Sequence, residues 1–509
     1  MFPLRMRRNP SIISRFHRPM LPLRCLLLAL LLPSASFAGE TVTRPGVLHL
    51  SLESAIRMAL AKNFSIQVER FGPQIAREQI TSELGRFDPT FDISATRNEN
   101  TRRDPLLGEA SRTISRNDEL STGFSGLTPW GLSYDAGLGS RNNTGSFSRF
   151  DDQFSSTGSL SLRQPLLRGF GTDVNLAQVR IARTNALVSE WQLRQRIIDI
   201  VTQTNFVFNE LHLAHENLAV AERSRALARQ LLVDNQRRAE IGVMSPLNVT
   251  TARAEAAARE EGVILAQRQV KDNENFIKQL VTNDMESMLA TEVEIVPPPA
   301  PPFAANVPEG IRDALELRPD YRQAILDLQR RNISLVFAKN QALPRLDLVG
   351  SLDLLGIDND FGTSVARIGK RDETAWSAGA IFSLPIPNRA ARGDLNAARL
   401  SSAQALVTLQ RLEQQIVVDV DNASGQIITG RQRIASTSEA RLLARESLEA
   451  GEERLRAGTG TTFEVLELQE RLATSEAAEV RARADYNKAV SEYHRQTGTT
   501  LQIYGVKVD

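Results

Sequence analysis

The feature that most constrains this chain is an order of elements that occurs twice, with the two copies about 240 residues apart. In each copy a helix precedes strands in which apolar and polar residues alternate, and a very long helical hairpin follows. Residues 174–240 contain neither Gly nor Pro, so they predict one helix of roughly 100 Å. Apolar residues recur there at Ile181, Val188, Trp191 and Ile198, a seven-and-three spacing typical of coiled-coil packing.

The repeated order predicts the organisation of the whole chain. A first structural repeat is expected over 39–296 and a second over 309–509, joined by a stiff Pro-rich linker at 297–308. For the first repeat we expect a helix at about 51–84, barrel-type strands over 87–166 and the long helical hairpin over 173–282. For the second repeat we expect a helix at 309–341, barrel-type strands over 344–386 and the hairpin over 392–497. The fold class is therefore mixed α and β, mostly α.

Loops of unequal length separate the predicted strands. Polar loops are expected at 99–118, 142–155 and 356–373, whereas Thr128–Gly131 reads as a tight turn. Membrane barrels distinguish their outer and inner ends in this way. On this interpretation the first two loops face outward and Trp130 lies near the inner lipid interface, although a soluble β-meander also fits the segment.

The strands also bear on how many copies of the chain act together. Beyond the N-terminal region no stretch approaches eighteen consecutive apolar residues, so a membrane crossing would require a β-barrel. The chain offers roughly four to six strands, and the smallest membrane barrels need eight. Several copies would therefore contribute strands to one barrel and helices to one cylinder below it. The number of strands per chain stays open between four and six.

The first 38 residues predict a secretory signal peptide. Six arginines without any acid precede or enter the apolar run Cys25–Leu32, and Ser36-Phe37-Ala38 supplies small residues for cleavage. Removing this segment takes six of the 61 basic residues and none of the 60 acidic ones, leaving 55 against 60, a net charge of −5. This balance does not favour nucleic-acid binding. Cys25 is the only cysteine, so no disulfide framework or thiol nucleophile is expected.

Four short motifs, in their order and spacing, resemble the TolC-type outer membrane efflux protein family. Two lie at strand-to-helix joints, and the other two lie at hairpin tips. The motifs are Leu162–Leu167, Phe382–Pro387, Glu240–Val243 with Asn248-Val249, and Ala457–Thr459 with Glu464–Leu466. The resemblance covers about residues 48–500, that is, nearly all of the chain after the leader.

The resemblance implies a homotrimeric outer-membrane β-barrel that continues into a long periplasmic α-helical barrel. It implies a passive conduit, not an enzyme, for small molecules, metals or proteins, without a cofactor. Its partners would be a periplasmic adaptor, an inner-membrane pump and outer-membrane lipid. The tips, with Gly242 and Val243 in the first and Gly458 and Thr459 in the second, would dock the adaptor. The joints would be marked by three prolines, Pro165, Pro385 and Pro387.

Two acids near the second tip are the main candidates for a functional site. Glu464 and Glu467 are three residues apart, so they share one face of a helix. At matching positions the family carries acids that line the tunnel entrance, so a trimer would present six carboxylates that favour cations. An ordinary solvated helix face is the alternative interpretation.

The family also closes its periplasmic mouth in some members through polar links between the tips. Those links use an aromatic residue and an Arg, and an acid on the opposing tip. The corresponding residues here are Leu455, Gly460 and Asn248. Closure by the same links is therefore not expected.

Other motifs do not support a different function. His212 and His215 share a helix face but lack a third metal ligand, and Gly169-Phe170-Gly171 lacks the third glycine and the βαβ setting of a phosphate loop. No Ser/His/Asp set is recognisable, which disfavours an enzyme. The rival interpretations are a periplasmic coiled-coil adaptor or structural protein without a membrane barrel, and an ordinary diffusion porin.

Overall fold

The computed structural model describes residues 46–103, 112–145, 152–297 and 303–507. The predicted signal peptide at 1–38 lies outside these ranges. Residues 298–302 of the predicted linker and the central parts of the loops predicted at 99–118 and 142–155 also lie outside them.

The chain enters the described structure through strand β1 (Val47–Leu50) and three helices, α1 (Leu52–Lys62), α2 (Phe64–Glu69) and α3 (Phe71–Leu84). Ser51 caps α1, because its hydroxyl accepts the Ser54 N–H at 3.2 Å and its own N–H donates to the Ser54 hydroxyl at 2.9 Å. The single helix predicted over 51–84 is wrong in detail. Asn63 adopts an extended backbone and caps α2, and its amide donates to the Leu280 carbonyl at 3.2 Å.

The first half then forms four strands and the first long hairpin. The strands are β2 (Thr90–Arg103), β3 (Arg112–Leu127), β4 (Ser133–Gly145) and β5 (Phe154–Pro165). The helices are α4 (Thr172–Asn175), α5 (Ala177–Glu240), α6 (Pro246–Val281) and α7 (Met285–Leu289), and they are followed by β6 (Glu292–Ile295). The 64 residues of α5 span about 96 Å.

The second half begins with α8 (Val307–Leu317) and α9 (Pro319–Gln341). Then come β7 (Arg345–Asp358), α10 (Phe361–Lys370) and β8 (Glu373–Ser383), followed by α11 (Arg389–Arg456), α12 (Thr462–Thr497) and α13 (Thr500–Ile503). The polar loop predicted at 356–373 is wrong, because α10 occupies most of it. Likewise α8 begins inside the predicted linker, with Pro308 in its first turn, where a proline costs no hydrogen bond.

Within the described residues, six strands form one antiparallel sheet in the order β2-β3-β4-β5-β7-β8. Of the four or six strands per chain that the sequence left open, this sheet contains six. β1 and β6 form a separate parallel pair that the sequence analysis did not predict, with Leu50 and Val293 buried.

The sheet has two chemically different faces. One row of opposed residues is apolar across all six strands: Phe91, Phe124, Ala136, Leu160, Leu352 and Trp376. The neighbouring row, on the opposite face, is small and polar: Asp92, Gly123, Gly137, Ser159, Asp353 and Ala375. The apolar side chains are open to the surroundings, as the exposed fractions of Trp376 (76%) and Phe91 (57%) show.

Strands β2 and β3 extend into the segment predicted as the polar loop 99–118. Their polar residues are accommodated by pairing across the strands. Arg97 contacts Asp118 at 2.6 Å, and Arg116 contacts Glu99 at 2.8 Å. Opposite charges in direct register stabilise an antiparallel pair, so charged residues continue these strands. The loop at 142–155 is likewise shortened, since β4 runs to Gly145 and β5 starts at Phe154.

The described C-terminal part of the predicted linker is held against α12. The Phe303 N–H donates to the Tyr486 hydroxyl at 3.1 Å, and the Tyr493 hydroxyl donates to the Asn306 carbonyl at 3.0 Å. The Phe303 ring also lies edge-on to His494, with ring centroids 5.0 Å apart. Burial lowers the pKa of His494, because the charged imidazolium is poorly solvated there.

This environment predicts a pH-dependent stability that depends on His494. As the pH falls from 7.5 to 5.5, the unfolded chain gains a proton near the ordinary value of about 6.5, while the buried ring resists protonation. Stability should therefore fall over this range, and His494→Phe should reduce the fall. The measurement is the thermal unfolding midpoint at both pH values. Thr499→Ala is the control, because it removes the contact from the Thr499 hydroxyl to the ring (3.1 Å) without removing the titrating group. An equal pH dependence in His494→Phe and wild type would contradict the interpretation.

Candidate functional site: hairpin tips and strand-to-helix joints

The first tip is a helix end closed by glycine. Gly242 has φ of +78°, and the Val243 N–H donates back to the Arg238 carbonyl at 3.0 Å. This is the pattern in which a residue with positive φ reverses the chain after a helix. Ser245 then caps α6 by accepting the Leu247 N–H at 3.3 Å.

The second tip repeats this geometry. Gly458 has φ of +74°, and the Thr459 N–H donates to the Arg454 carbonyl at 2.9 Å. Thr461 caps α12, because its hydroxyl accepts the Glu464 N–H at 3.2 Å. Glu464 therefore lies in the first turn of α12, where the helix dipole favours a negative charge.

The two tips contact each other through polar groups that the sequence analysis missed. The Arg238 guanidinium donates to the Leu455 carbonyl at 3.0 Å, and the Asn235 amide donates to the Thr462 hydroxyl at 3.4 Å. The Leu455 side chain is buried. No sequence pattern marks Arg238, because arginine is common along both long hairpins.

Apolar side chains project from both tips. They are Ile241, Val243, Leu247 and Phe463, with exposed fractions of 74%, 68%, 70% and 71%. Thus the tips combine a rigid reversal, an internal polar link and an apolar surface.

Each of the two predicted acids has an arginine partner in its own hairpin. Glu464 contacts Arg454 at 2.6 Å, and Glu467 contacts Arg471 at 3.2 Å. Two negative and two positive charges leave this cluster with no net charge. Both arginines are more than half exposed, and Glu464 and Glu467 are 34% and 58% exposed, so the pairs are weakly held and the carboxylates can exchange partners.

Two further acids on α12 have the same spacing as Glu464 and Glu467 but a different environment. Glu476 lies between Arg223 of α5 and Arg445 of α11, at 3.1 and 3.2 Å. Glu479 contacts Arg441 of α11 and Arg483. Both acids are buried, so they tie three long helices together instead of facing solvent. Spacing alone does not separate these acids from the exposed pair.

The first strand-to-helix joint is organised by Asn340 of α9. Its side-chain oxygen accepts the Gly169 N–H at 2.7 Å, and its amide donates to the Leu167 carbonyl at 3.1 Å. Pro165, the last residue of β5, lies opposite Asp347 of β7. Asp347 is only 1% exposed and contacts Arg345 at 2.7 Å. The joint therefore links the two halves of the chain.

The Gly169-Phe170-Gly171 segment has a structural role at this joint. The Gly171 N–H donates to the Trp130 carbonyl at 3.1 Å, which places the β3–β4 turn against the start of the helices. The Asn175 amide donates to the Gly169 carbonyl at 2.8 Å. A side chain at Gly131 would come within 2.5 Å of the same carbonyl, so this turn requires glycine.

The second joint uses other residues. Pro385 and Pro387 follow the end of β8, and Asn388, with φ of +59°, starts the turn into α11. The Asn388 amide donates to the carbonyl of Ala342, the residue that follows α9, at 3.2 Å. The C-terminal end of α9 therefore contacts the second joint, as Asn340 contacts the first.

The described residues also show what the other candidates do. Across these ranges, no three His, Cys, Asp or Glu side chains are close enough to hold a metal ion together. Burial lowers the pKa of His212, and neighbouring His215 adds to the effect. None of the described helices combines the length and the apolar character that a membrane-crossing helix needs.

Comparison with known proteins identifies the class. The sequence pattern of the outer membrane efflux protein family matches residues 130–283 and 310–498, about two thirds of the chain by the length of these ranges. The chain belongs to the outer membrane efflux protein family. The family recognised from the tips and joints is thus confirmed.

Individual relatives are more distant. Nodulation protein T of Rhizobium leguminosarum bv. trifolii is 25% identical over 190 residues, which cover 37% of this chain and 39% of that protein. The fold is similar to that of the Campylobacter jejuni CmeC outer membrane channel, with a TM-score of 0.68 and 18% identity over 88% of this chain and 86% of that one. The outer membrane protein VceC of Vibrio cholerae gives a TM-score of 0.65 and 16% identity over 88% and 96%.

The tip geometry predicts opposite effects for two glycine substitutions. Gly242→Ala should destabilise the protein by about 1 kcal/mol, because an alanine at positive φ is strained. Gly262→Ala, inside α6 with open space around the added carbon, should stabilise it by roughly 0.5 kcal/mol. Unfolding midpoints in denaturant test both. A Gly242→Ala variant as stable as the Gly262→Ala variant would show that the reversal does not need the glycine.

Proposed function

We propose that this protein is the outer-membrane channel component of a tripartite efflux or type I secretion system, a passive conduit for small molecules, metals or proteins. The observation that carries the proposal is the combination, in one chain, of a sheet with one apolar and one polar face and helices about 100 Å long that leave it at both joints. An apolar face suits lipid, and a polar face suits a water-filled passage. Family membership supports the outer-membrane location, and the long helices support a long periplasmic extension.

The edges of the sheet support assembly of a homotrimer. β2 and β8 are the outermost strands among the described residues, and each has one edge without a partner strand in this chain. They run in opposite directions, so β2 of one copy pairs antiparallel with β8 of the next. Three copies then close a barrel of about 18 strands, within the range known for membrane barrels. Closure removes the open edges that otherwise promote aggregation.

We also propose that residues 39–296 and 309–509 are two structural repeats. The matching lengths support this assignment. α1 and α8 have 11 residues each, α6 and α12 have 36 each, and α5 and α11 have 64 and 68. The repeats differ at the membrane end, since four strands lie in the first and two in the second. The additional hairpin would enlarge the barrel.

The tips are the proposed contact with a periplasmic adaptor, which in turn links the channel to an inner-membrane pump. The exposed side chains of Ile241, Val243 and Phe463 support this role, because such apolar anchors suit burial in a partner. Gly242 and Gly458 would hold the tips in shape, and Thr459 lies beside the second reversal. A periplasmic adaptor or structural protein without a barrel is the competing function, but the apolar face of the sheet disfavours it.

Fractionation and size measurement test the channel. The full-length protein, expressed in a Gram-negative host, should sediment with the outer membrane and, after detergent extraction, have the mass of three chains. It should also form ion-conducting pores in planar bilayers. Recovery of a monomer from the periplasm without detergent would overturn the proposal and favour the adaptor interpretation.

Glu464 and Glu467 are the proposed carboxylates of the tunnel entrance. Their pairing with Arg454 and Arg471 modifies the proposal, because each copy presents a mixed cluster instead of two free acids. Exposed pairs of this kind are worth little, so a passing cation can compete with the arginines for the carboxylates. Selectivity for cations would then be moderate.

The double variant Glu464→Gln, Glu467→Gln tests this role. It leaves both arginines unpaired, so the cation-to-anion permeability ratio of single pores should be lower than that of the wild type. Glu286→Gln, Glu292→Gln removes the same charge from exposed positions in α7 and β6 and serves as the control. Equal permeability ratios in the first variant and the wild type would exclude these acids from the entrance.

A further inference from the structure

Helix α10 lies on the apolar face of the sheet. Ile368, which is buried, packs above Gly158, where an added side-chain carbon would come within 3.2 Å of it. The Phe361 ring contacts the Phe154 ring edge-on, with centroids 6.0 Å apart. Both Gly158 and Phe154 belong to the set of β5 residues that share the face of Leu160. The helix therefore sits on the side that the proposed function assigns to lipid.

The part of the sheet beneath α10, called here the seat, consists of small residues and hydroxyls that fit the helix. Ser364 is fully buried and its hydroxyl lies 2.7 Å from that of Ser156, which in turn donates to Ser140 at 2.8 Å. Gly356 of β7 lies directly beneath, because a side-chain carbon there would be 2.1 Å from the Ser364 carbonyl. Arg367 adds an ion pair to Asp358 at 2.6 Å. A surface of small residues, a row of hydrogen-bonded hydroxyls and an ion pair thus hold α10 on the sheet.

The sheet residues beneath α10 lie at one edge of the apolar band, at the ends of the strands that are far from the joints. On β7, Leu346 to Leu354 cover about 26 Å along the strand, which at a tilt of roughly 40° is about 20 Å of height, somewhat less than the apolar band of roughly 25 Å in membrane barrels. Ser156 and Gly356 form the next row, and the row beyond contains Arg97, Asp118, Asn142, Phe154 and Asp358. The joints lie at the other end of the strands. Thus α10 marks the boundary between apolar and polar rows on the side away from the helices.

The exposed end of α10 carries two cations, Lys370 and Arg371, beside one exposed acid, Asp372. The next acid, Glu373, begins β8 on the face of Asp353, opposite to α10. Lys370 and Arg371 are exposed, and within the residues that the structure describes neither has an acidic partner. The outward side of the helix carries Val365, which is 37% exposed. An amphipathic helix with apolar residues beside unpaired cations has the character of segments that lie in a membrane interface and attract anionic headgroups.

We propose that α10 is an interfacial helix that binds the phosphate-bearing headgroups of outer-leaflet lipid through Lys370 and Arg371. This inference rests on the proposed channel function, because it requires the apolar face to be in a membrane. The helix fixes the height of the barrel in the bilayer. The ligand is a lipid surface with anionic phosphate groups, and the seat on β5 and β7 holds the two cations at the level of those groups.

Depth measurements separate this proposal from the channel proposal. Nitroxide labels are placed at Val365→Cys, Leu352→Cys and Glu446→Cys in a Cys25→Ser background, and the trimer is reconstituted in phosphatidylglycerol-containing vesicles. We expect Leu352 in the hydrocarbon, Glu446 in water and Val365 at headgroup depth. A Val365 label in water with Leu352 in lipid overturns the α10 proposal alone. A Leu352 label in water overturns the channel proposal.

Lipid binding tests the role of the cations. Native mass spectrometry of the detergent-solubilised trimer should show phosphatidylglycerol retained in preference to phosphatidylcholine, and Lys370→Glu, Arg371→Glu should reduce that retention about tenfold. Lys62→Glu, Arg253→Glu makes the same charge change at exposed residues of α1 and α6 and should leave retention unchanged. Equal loss in both variants, or no loss in the first, overturns the proposal. Displacement of the lipid by an equal concentration of inorganic phosphate would show a phosphate site instead of a lipid site.

Discussion

The contact between Asn340 and the first strand-to-helix joint is the interaction on which the rest of the structure depends. One side chain satisfies the Gly169 N–H and the Leu167 carbonyl in the segment between the end of β5 and the start of α4. Backbone groups at such a change of direction have no regular partners, and leaving them unpaired would be costly. Because Asn340 belongs to the second half, the joint also aligns β5 with β7. The sheet and the long helices are therefore positioned by the same contact.

Beyond the joints, on the side away from the sheet, partly buried ion pairs hold the long helices together. Glu476 contacts arginines from α5 and α11, and Lys488 contacts Glu210 of α5 at 2.5 Å. Small apolar residues fill the seam, as where Gly430 of α11 approaches Tyr486 of α12. Removing one partner would leave the other charge partly desolvated, so these pairs favour the observed choice of neighbouring helices. At the tips the pairs are exposed, and the cluster around Glu464 can change its contacts more easily.

The elements that the sequence predicts correctly have local signals. The reversals at Gly242 and Gly458 follow from a glycine at the end of a long helix, and the two-faced strands follow from alternation. Helix α10 and the ends of β2 and β3 have no such local signal. In these segments polar residues predict a loop. In the structure, however, Arg97 forms an ion pair with Asp118 across the strand pair, and the Ser364 hydroxyl is hydrogen-bonded to that of Ser156, about 200 residues earlier. Such partners are set by register, which periodicity does not contain.

The candidate site shows the same division. By itself, the sequence determined the long helices, the reversals between them and the alternating strands, because Gly and Pro placement and apolar periodicity act over a few residues. It also determined that Glu464 and Glu467 share a helix face. Only the tertiary structure decided that both are paired with arginine, that the equally spaced Glu476 and Glu479 are buried, and that six strands join one sheet. Those outcomes depend on contacts between residues far apart in the chain, and no local pattern records them.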